Sequence, residues 1–314
     1  MSREHIDRSR LRTYPIRERR HKVRLEHLGA LPEKDTVAAL IESMPRLLGA
    51  EALRGFVDAV VAARAKAKPV LVALGGHVIK CGCTPYIIEL MRRRVVTGVA
   101  MHGATAIHDF ELAMIGQTSE EVAASLEDGT FGMVEETGRL MNEAIAGGAA
   151  QGLGAGRALG EAIIKADFPH RDVSVLAAGI ELDVPVTVHI AIGTDTIHQH
   201  PKADGAALGE TSLKDFELLA SLVAELGDGG VYMNVGSAVL LPEVFLKALT
   251  VARNLGHTVR GFTTANFDML RHYRPASNVV ERPVLAGGTG YDFAGHHEIM
   301  IPLVTAAILA RLTP

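Results

Sequence analysis

The sequence predicts an α/β protein in which a parallel sheet carries helices on both faces. Five apolar, β-branched runs recur along the 314-residue chain, and helix-like stretches separate them. Buried parallel strands read as continuous apolar runs, and strands that alternate with helices indicate a parallel sheet. Each run ends in a short turn rich in Gly, His, Asp, Thr or Asn. In open parallel sheets ligands bind beyond the carboxyl ends of the strands, so the sequence predicts a small-molecule site there.

The predicted strands and their polar turns form five segments. They are VLVALGGHVIK (Val70–Lys80), GVAMHGATAIHD (Gly98–Asp109), VPVTVHIAIGTDTIHQHP (Val184–Pro201), GVYMNVGSAV (Gly230–Val239) and VRGFTTANFD (Val259–Asp268). Because the carboxyl ends of parallel strands share one edge of the sheet, we expect the turns around the glycines of these segments to line one crevice.

Apolar residues at helical spacing predict helices around and between these segments. The predicted helices are Val37–Met44, Glu51–Ala67, Pro85–Arg93, Phe110–Ile115, Ser119–Ser125, Phe131–Gly147, Ala158–Lys165, Ser212–Leu226, Pro242–Leu255 and His296–Leu312. The string GLGAG at 152–156 resembles a dinucleotide-binding loop, but it follows a helical stretch rather than a strand. We therefore interpret it as a connection between two helices.

Composition and charge narrow the class of protein. The chain is 48% hydrophobic and 22% charged, which is enough to bury a substantial core. A net charge of −4 argues against a general nucleic-acid surface. The apolar runs are too short to cross a membrane, and no secretory signal is recognisable. Cys81 and Cys83 are too close in sequence for a structural disulfide, so we expect a reducing, cytoplasmic protein.

The beginning of the chain differs from the rest. Between Arg3 and Arg24 basic residues far outnumber acidic ones. We interpret residues 1–30 as a basic N-terminal arm and residues 31–314 as a single Rossmann-like α/β domain. Apolar side chains such as Tyr14 and Val23 interrupt the charges, so we expect the arm to pack on protein, including a neighbouring subunit, rather than on nucleic acid.

Histidines and carboxylates concentrate in two of the polar turns. HGATAIHD places His108 beside Asp109, and a carboxylate next to an imidazole suits acid–base work. TDTIHQHP combines Asp195 with His198 and His200, a pattern that serves either a transition metal or an organic substrate. We expect His102, His108, His198, His200, His296 and His297 to meet in one pocket, as acid–base groups rather than as metal ligands.

The order of the strand-end motifs resembles the deoxyhypusine synthase family, in particular its bacterial deoxyhypusine synthase-like members. The resemblance runs from about Lys68 to the C-terminus and rests on GGHVIKCG, HGATAIHD, GTDTIHQH, NVGSAV, TTANFD, RPASNVV and HHEIMIPL. It implies a Rossmann-like sheet, a homotetramer, and NAD bound beside a polyamine pocket. Enzymes of this family oxidise spermidine and transfer an aminobutyl group through an imine on a lysine.

Site residues follow from the resemblance position by position. It implies that the NAD contacts are Gly76, His77, His102, Gly103, Ala104, Asp195, Gly236, Ser237, Thr264, Ala265 and His296, the last standing where the family has an Asp. His108 falls on a carboxylate that touches cofactor and amine, and His200 stands where the family has an amine-binding Asp. The stretch from Glu281 to Pro283 replaces the imine-forming lysine, so the family's catalytic lysine is missing.

These observations predict an NAD-dependent enzyme that oxidises an amine or polyamine and can pass the imine carbon group to a second amine. Oxidation beside nitrogen needs a base for the amine proton, and the candidates are His108, His200 and Asp268, with Asp109 orienting His108. Two alternatives stay open. One is a metal-dependent hydrolase or lyase that uses His102, His198, His200 and His296, and the other is a non-catalytic NAD-binding protein.

Overall fold

Six parallel strands form the single sheet of the protein, which is described here from a computed structural model over residues 4–312. The strands are β1 (Val70–Leu74), β2 (Gly98–His102), β3 (Val186–His189), β4 (Val231–Val235), β5 (Phe262–Asp268) and β6 (Gly288–Ala294). Their order across the sheet is β3-β2-β1-β4-β5-β6, and every neighbouring pair is parallel. This is the Rossmann-like topology, as the sequence predicts.

All five predicted strands are present, and β6 is the one that the sequence pattern missed. Its sequence, GTGYDFA, contains two glycines and no continuous apolar run. It pairs with β5 at the edge of the sheet, and only Phe293 of the strand is buried. An edge strand that buries so little of its surface lacks the hydrophobic signal by which strands are recognised.

Thirteen helices are defined within the described residues. They are α1 (Val37–Ser43), α2 (Leu48–Ala65), α3 (Gly76–Lys80), α4 (Thr84–Arg92), α5 (Gly103–Ile115), α6 (Val122–Glu127), α7 (Glu135–Ala150), α8 (Ala155–Lys165), α9 (Val175–Glu181), α10 (Gly205–Ala224), α11 (Leu240–Asn254), α12 (Tyr273–Pro275) and α13 (His297–Leu312). A π-helical turn, Ala276–Glu281, continues α12. Within residues 4–312, no helix combines the length and the apolar character needed to cross a membrane.

Several predicted helix starts were wrong by three residues or more; helix α10, for example, begins at Gly205 rather than at Ser212. Two of these errors have a clear physical reason. Helix α5 begins at Gly103 rather than at Phe110, because the His102 side chain caps it directly after β2. Ser119 has a φ of 70°, which is left-handed backbone, so α6 begins only at Val122. The short helices α3 and α9 were not predicted at all.

The core has one layer on each face of the sheet. Val70, Val72 and Leu74 of β1 pack with α2, α4, α13 and their neighbours, whereas Leu71 and Ala73 pack with α10 and α11. Because side chains alternate along a strand, each central strand is apolar on both faces. Helices therefore cover both faces, and the carboxyl edge of the sheet is left for polar groups.

The basic arm lies outside this core. Between residues 4 and 36 every side chain is exposed except that of His27, and the backbone forms only short 3₁₀ turns. Two backbone hydrogen bonds connect the arm to the rest of the protein. Arg46 N donates to His27 O (3.0 Å), and Ala30 N donates to Ser43 O (2.9 Å). Ile6 is 88% exposed. Apolar side chains left in water fit the expected contact with a second subunit, which stays a prediction.

Candidate functional site

The turns after β1 and β4 meet where the strand order reverses, at the centre of the carboxyl edge. Gly75 N donates to Val235 O (2.8 Å), and a Cβ atom on Gly75 would lie 1.9 Å from Gly236 O. Gly76 N lies 3.3 Å from His102 Nε2 at the end of β2. The turns at Gly76, Gly103 and Gly236 therefore follow three adjacent strands, which brings them to the same edge of the sheet.

Free backbone amides border this crevice. Among the described residues, none accepts a hydrogen bond from the N–H groups of His77, Ser237 or Ala238. Ser237 and Ala238 precede Val239, the N-cap of the 15-residue helix α11, and Leu241 N in the first turn of that helix donates to Ser237 Oγ (3.2 Å). Unpaired amides at a helix N-terminus and a glycine cradle fit the pyrophosphate of a dinucleotide.

Two of the predicted NAD contacts lie below this crevice. Thr264 and Ala265 are fully buried in the middle of β5, several residues before the strand ends. Thr264 pairs in register with Tyr232 of β4, inside the sheet. Ser237, by contrast, is in the turn itself.

A cavity of about 840 Å³ opens beside the crevice, between α5 and the segment that carries α6. Its apolar wall includes Ile107, Met114 and Phe131. Its polar lining consists of Lys80, His108, Glu111, Glu120, Glu136 and Asp195, among smaller groups. Four carboxyl groups face one lysine, so the cavity favours a cationic ligand with an apolar stem.

His108 is held in this cavity by a relay to Glu111. Its Nδ1 lies 2.7 Å from Thr118 Oγ1, and Thr118 Oγ1 donates to Glu111 Oε2 at 2.5 Å. Because the threonine proton goes to Glu111, the threonine oxygen accepts from His108 Nδ1–H. Thr137 Oγ1 donates to the other carboxylate oxygen of Glu111 at 3.0 Å. The lone pair of His108 is therefore on Nε2, which has no hydrogen-bond partner among residues 4–312.

The surroundings of His108 keep it neutral. Burial and then the nearby Lys80 ammonium lower the pKa of His108 to about 4. Burial and then His108 lower the pKa of His102 to about 4 as well. Both imidazoles are uncharged near neutral pH, so His108 is available as a base.

Asp109 does not orient His108, and that prediction is corrected. Its fully buried carboxylate accepts hydrogen bonds from Ser174 Oγ (2.5 Å), Val175 N (2.8 Å) and Leu176 N (3.1 Å) at the start of α9. Burial raises the pKa of Asp109 to about 6. Neighbouring residues of a helix point in different directions, whereas Glu111 is three residues from His108 and shares its face. Helical spacing is the signal that would have found Glu111.

Asp195 and His198 form a second polar pair at the start of α5. The Asp195 carboxylate accepts from Ala104 N–H, and burial raises the pKa of Asp195 to about 6. A Cβ atom on Gly103 would lie 1.9 Å from Asp195 Oδ2, so the glycine makes room for this carboxylate. His198 Nδ1 accepts from Gly193 N (3.0 Å). Its Nε2–H therefore faces Asp195 Oδ2, at 3.7 Å, and neither atom has a closer partner among the described residues.

The remaining predicted residues lie apart from His108. His200 Nε2 pairs with Glu135 Oε2 at 3.2 Å and does not line the cavity. Asp268 ends β5, where its Oδ1 accepts from Met269 N (2.7 Å). His296 is exposed beside Glu298. The six histidines therefore do not meet in one pocket, and the set His102, His198, His200 and His296 is not assembled as a metal centre.

A different histidine pair forms a third cluster, near β1 and β5. The ligand atoms of His77, Cys81 and His297 all lie within 4.8 Å of one another. His77 Nδ1 is 3.2 Å from His297 Nδ1 and 3.2 Å from Cys81 Sγ. Burial and then Glu298 raise the pKa of the Cys81 thiol. Within residues 4–312 this is the only group of three such side chains close enough to share an ion.

Comparison with known proteins gives structural neighbours only. No protein-family model and no curated protein sequence matches the chain. The structure is similar to AgrE in its ternary complex with ornithine and NAD⁺, with a TM-score of 0.54, 14% identity, and coverage of 86% of this chain and 35% of AgrE. It is similar to ArgZ, a cyanobacterial arginine dihydrolase, with a TM-score of 0.52, 15% identity, and coverage of 83% and 32%.

A third neighbour matches the chain over most of both lengths. It is an Entamoeba histolytica protein assigned as a deoxyhypusine synthase, with a TM-score of 0.51, 10% identity, and coverage of 87% of this chain and 92% of that one. The chain spans only about a third of the length of AgrE and ArgZ. At these identities the comparisons show a common Rossmann-like fold.

Proposed function

We propose that the protein is an NAD-dependent enzyme that oxidises an amine-bearing small molecule. The observation that carries the proposal is the position of His108 between the crevice and the cavity. A Cβ atom on Gly76 would lie 3.3 Å from His108 Cδ2, so this neutral base borders the glycine turn. The binding of ornithine and NAD⁺ by AgrE and the assignment of the Entamoeba protein as a deoxyhypusine synthase support the same class of chemistry.

The cofactor would be held by the backbone amides of His77, Ser237 and Ala238 and by the glycine turns after β1 and β4. Bound there, NAD⁺ supplies a hydride acceptor for the carbon beside the amine nitrogen. Binding would rest on these amides and on the N-terminus of α11.

The amine would enter the cavity on the carboxylate side. Both carboxylate oxygens of Glu111 already accept hydrogen bonds from threonine hydroxyls, and Glu120 accepts one from Gly132 N (2.8 Å). Glu136 has no hydrogen-bond partner among the residues described, which leaves it free for a substrate ammonium group. Diamines, polyamines and basic amino acids all present an ammonium on an apolar stem.

His108 would remove the proton that oxidation releases from the amine nitrogen. The proton goes to Nε2, while Nδ1–H stays hydrogen-bonded to Thr118 and the Glu111 carboxylate stabilises the imidazolium. Transfer of the imine carbon to a second amine is the finer form of the proposal. In that step the second amine would attack the imine carbon, the original amine would leave with a proton, and the reduced cofactor would return its hydride to the new imine carbon, so the missing lysine is not required.

We also infer that the chain forms a homo-oligomer, as the resemblance to a tetrameric family implies. The exposed apolar side chains of the arm support this inference, because they would be buried by a neighbouring subunit.

A negative charge at the start of α11 is expected to weaken NAD⁺ binding. Ala238→Asp places a carboxylate beside the amides that would hold the pyrophosphate, whereas a carboxylate at a helix N-terminus does not destabilise the fold. Calorimetry should show a Kd at least about tenfold higher than for wild type, since a like-charge contact costs about 1.4 kcal/mol or more. The neutral, isosteric control is Ala238→Asn. Equal affinity in Asp and Asn variants, or no NAD⁺ binding by wild type, would contradict the proposed cofactor site.

A further inference from the structure

The cluster of His77, Cys81 and His297 is built from two elements that the fold brings together. His77 and Cys81 are four residues apart at α3, so their side chains share one face of that turn. His297 begins α13 and is only 1% exposed. Gly236 gives it room, because a Cβ atom there would lie 3.0 Å from His297 Cε1.

The hydrogen bonds of His297 direct a lone pair into the cluster. Its Nε2 lies 3.3 Å from Phe267 O, and a carbonyl oxygen can only accept, so Nε2 carries the proton. Nδ1 therefore presents a lone pair to His77 Nδ1. A metal-binding histidine commonly donates its other N–H to a backbone carbonyl, which fixes the tautomer and the ring orientation.

Two of the three distances within the cluster are close to those around a tetrahedral ion, and the third is at most 4.8 Å. Metal–nitrogen bonds of about 2.0–2.1 Å and metal–sulfur bonds of about 2.3 Å place neighbouring ligand atoms about 3.3 Å (N–N) and about 3.6 Å (N–S) apart. The structure has 3.2 Å between the two Nδ1 atoms and 3.2 Å between His77 Nδ1 and Cys81 Sγ. His77 is exposed and Cys81 is half-buried, so an ion can enter from solvent.

We propose that His77, Cys81 and His297 bind one zinc-class divalent transition metal ion through two imidazole nitrogens and one thiolate. One thiolate and two imidazoles select such an ion over Mg²⁺ or Ca²⁺, which prefer oxygen ligands. Three protein ligands leave the fourth tetrahedral position open to water or a substrate atom. On binding, the ion displaces the Cys81 thiol proton to solvent.

Cobalt titration of the metal-free protein tests this site without NAD or substrate. Wild type is expected to bind one Co²⁺ per chain and to show both a thiolate-to-cobalt charge-transfer band and the visible absorption of a tetrahedral ion. Cys81→Ser should lose the charge-transfer band, and His77→Ala should bind at least tenfold more weakly. Both residues reach solvent, so the variants should keep the circular dichroism of the wild type.

Two neighbouring residues supply matched controls. Cys83→Ala removes the other thiol of the chain, and His296→Ala removes the exposed histidine next to His297. Both should retain the cobalt spectrum and a wild-type Kd. The proposal is overturned if wild type binds no cobalt or zinc stoichiometrically, or if the charge-transfer band survives in Cys81→Ser. Because the readout is the metal alone, its outcome is separate from that of NAD⁺ binding.

Discussion

His108→Ala is expected to lower kcat for amine oxidation by about 10²–10⁴-fold, the usual contribution of a positioned general base. NAD⁺ binding should persist, because the amides that would hold the cofactor belong to other turns. Steady-state kinetics and calorimetry on the same preparation separate the two effects. Thr118→Val should show a smaller loss in kcat, since it removes the hydrogen bond that fixes the His108 tautomer but leaves the base.

The pH dependence of kcat/KM provides a second test of the role of His108. The pKa of His108 is lowered to about 4, so the base stays deprotonated down to that pH. kcat/KM should therefore fall only as the pH drops through about 4, rather than near 6.5 as for an ordinary histidine. The control is His257→Ala, an exposed histidine before β5 at the opposite edge of the sheet, which should leave kcat unchanged. Full activity of His108→Ala would contradict its role as the base.

Asp215→Ala is expected to cost about 3 kcal/mol or more in the free energy of unfolding. The buried carboxylate accepts from Val188 N (2.7 Å) and Gly156 N (2.8 Å), and it also accepts from Ala155 N–H. These bonds tie α10 to β3 and to the start of α8. Each buried N–H left without a partner costs about 1–3 kcal/mol. Urea unfolding followed by circular dichroism measures the loss.

A control on the same helix distinguishes the loss of a buried carboxylate from the loss of an exposed helix cap. Asp204 is the exposed N-cap of α10, and Asp204→Ala should cost only about 1 kcal/mol. Burial raises the pKa of Asp215 to about 7. Between about pH 4 and pH 7 the carboxyl is therefore protonated in the folded state and ionised in the unfolded state. Wild type therefore loses stability as pH rises from about 4 to about 7. The gap between wild type and Asp215→Ala should narrow over this range; a gap of under about 1 kcal/mol throughout would contradict the structural role.

The sheet could be predicted because its strands are buried on both faces. Five of them are continuous apolar runs, and their alternation with helices implies that they pair in parallel. The GLGAG string was also correctly interpreted as a helix connection, between α7 and α8. Its glycines serve packing: a Cβ atom on Gly154 would lie 1.8 Å from Asp215 Oδ1, and one on Gly156 would lie 1.9 Å from Val186 O.

The site was harder to predict because its partners are set by the fold. The sequence places His108 at the end of a strand, but adjacency to Asp109 was misleading, since a helix turns about 100° per residue. The contact of His77 with His297 joins residues 220 positions apart. No local pattern encodes such a contact. The glycine turns were found because each follows directly from its own strand.

Rapid mixing of the NAD⁺-bound protein with cationic amines is the most direct test of the central claim. The panel would contain diamines, spermidine and basic amino acids, and the readout is the absorbance of reduced nicotinamide on the millisecond-to-second scale. At least one amine should produce reduced nicotinamide in an amount stoichiometric with the protein, whether or not the cofactor is later reoxidised, and His108→Ala should abolish it. Bound NAD⁺ that no amine of the panel reduces would contradict the claim and favour a binding protein without this chemistry.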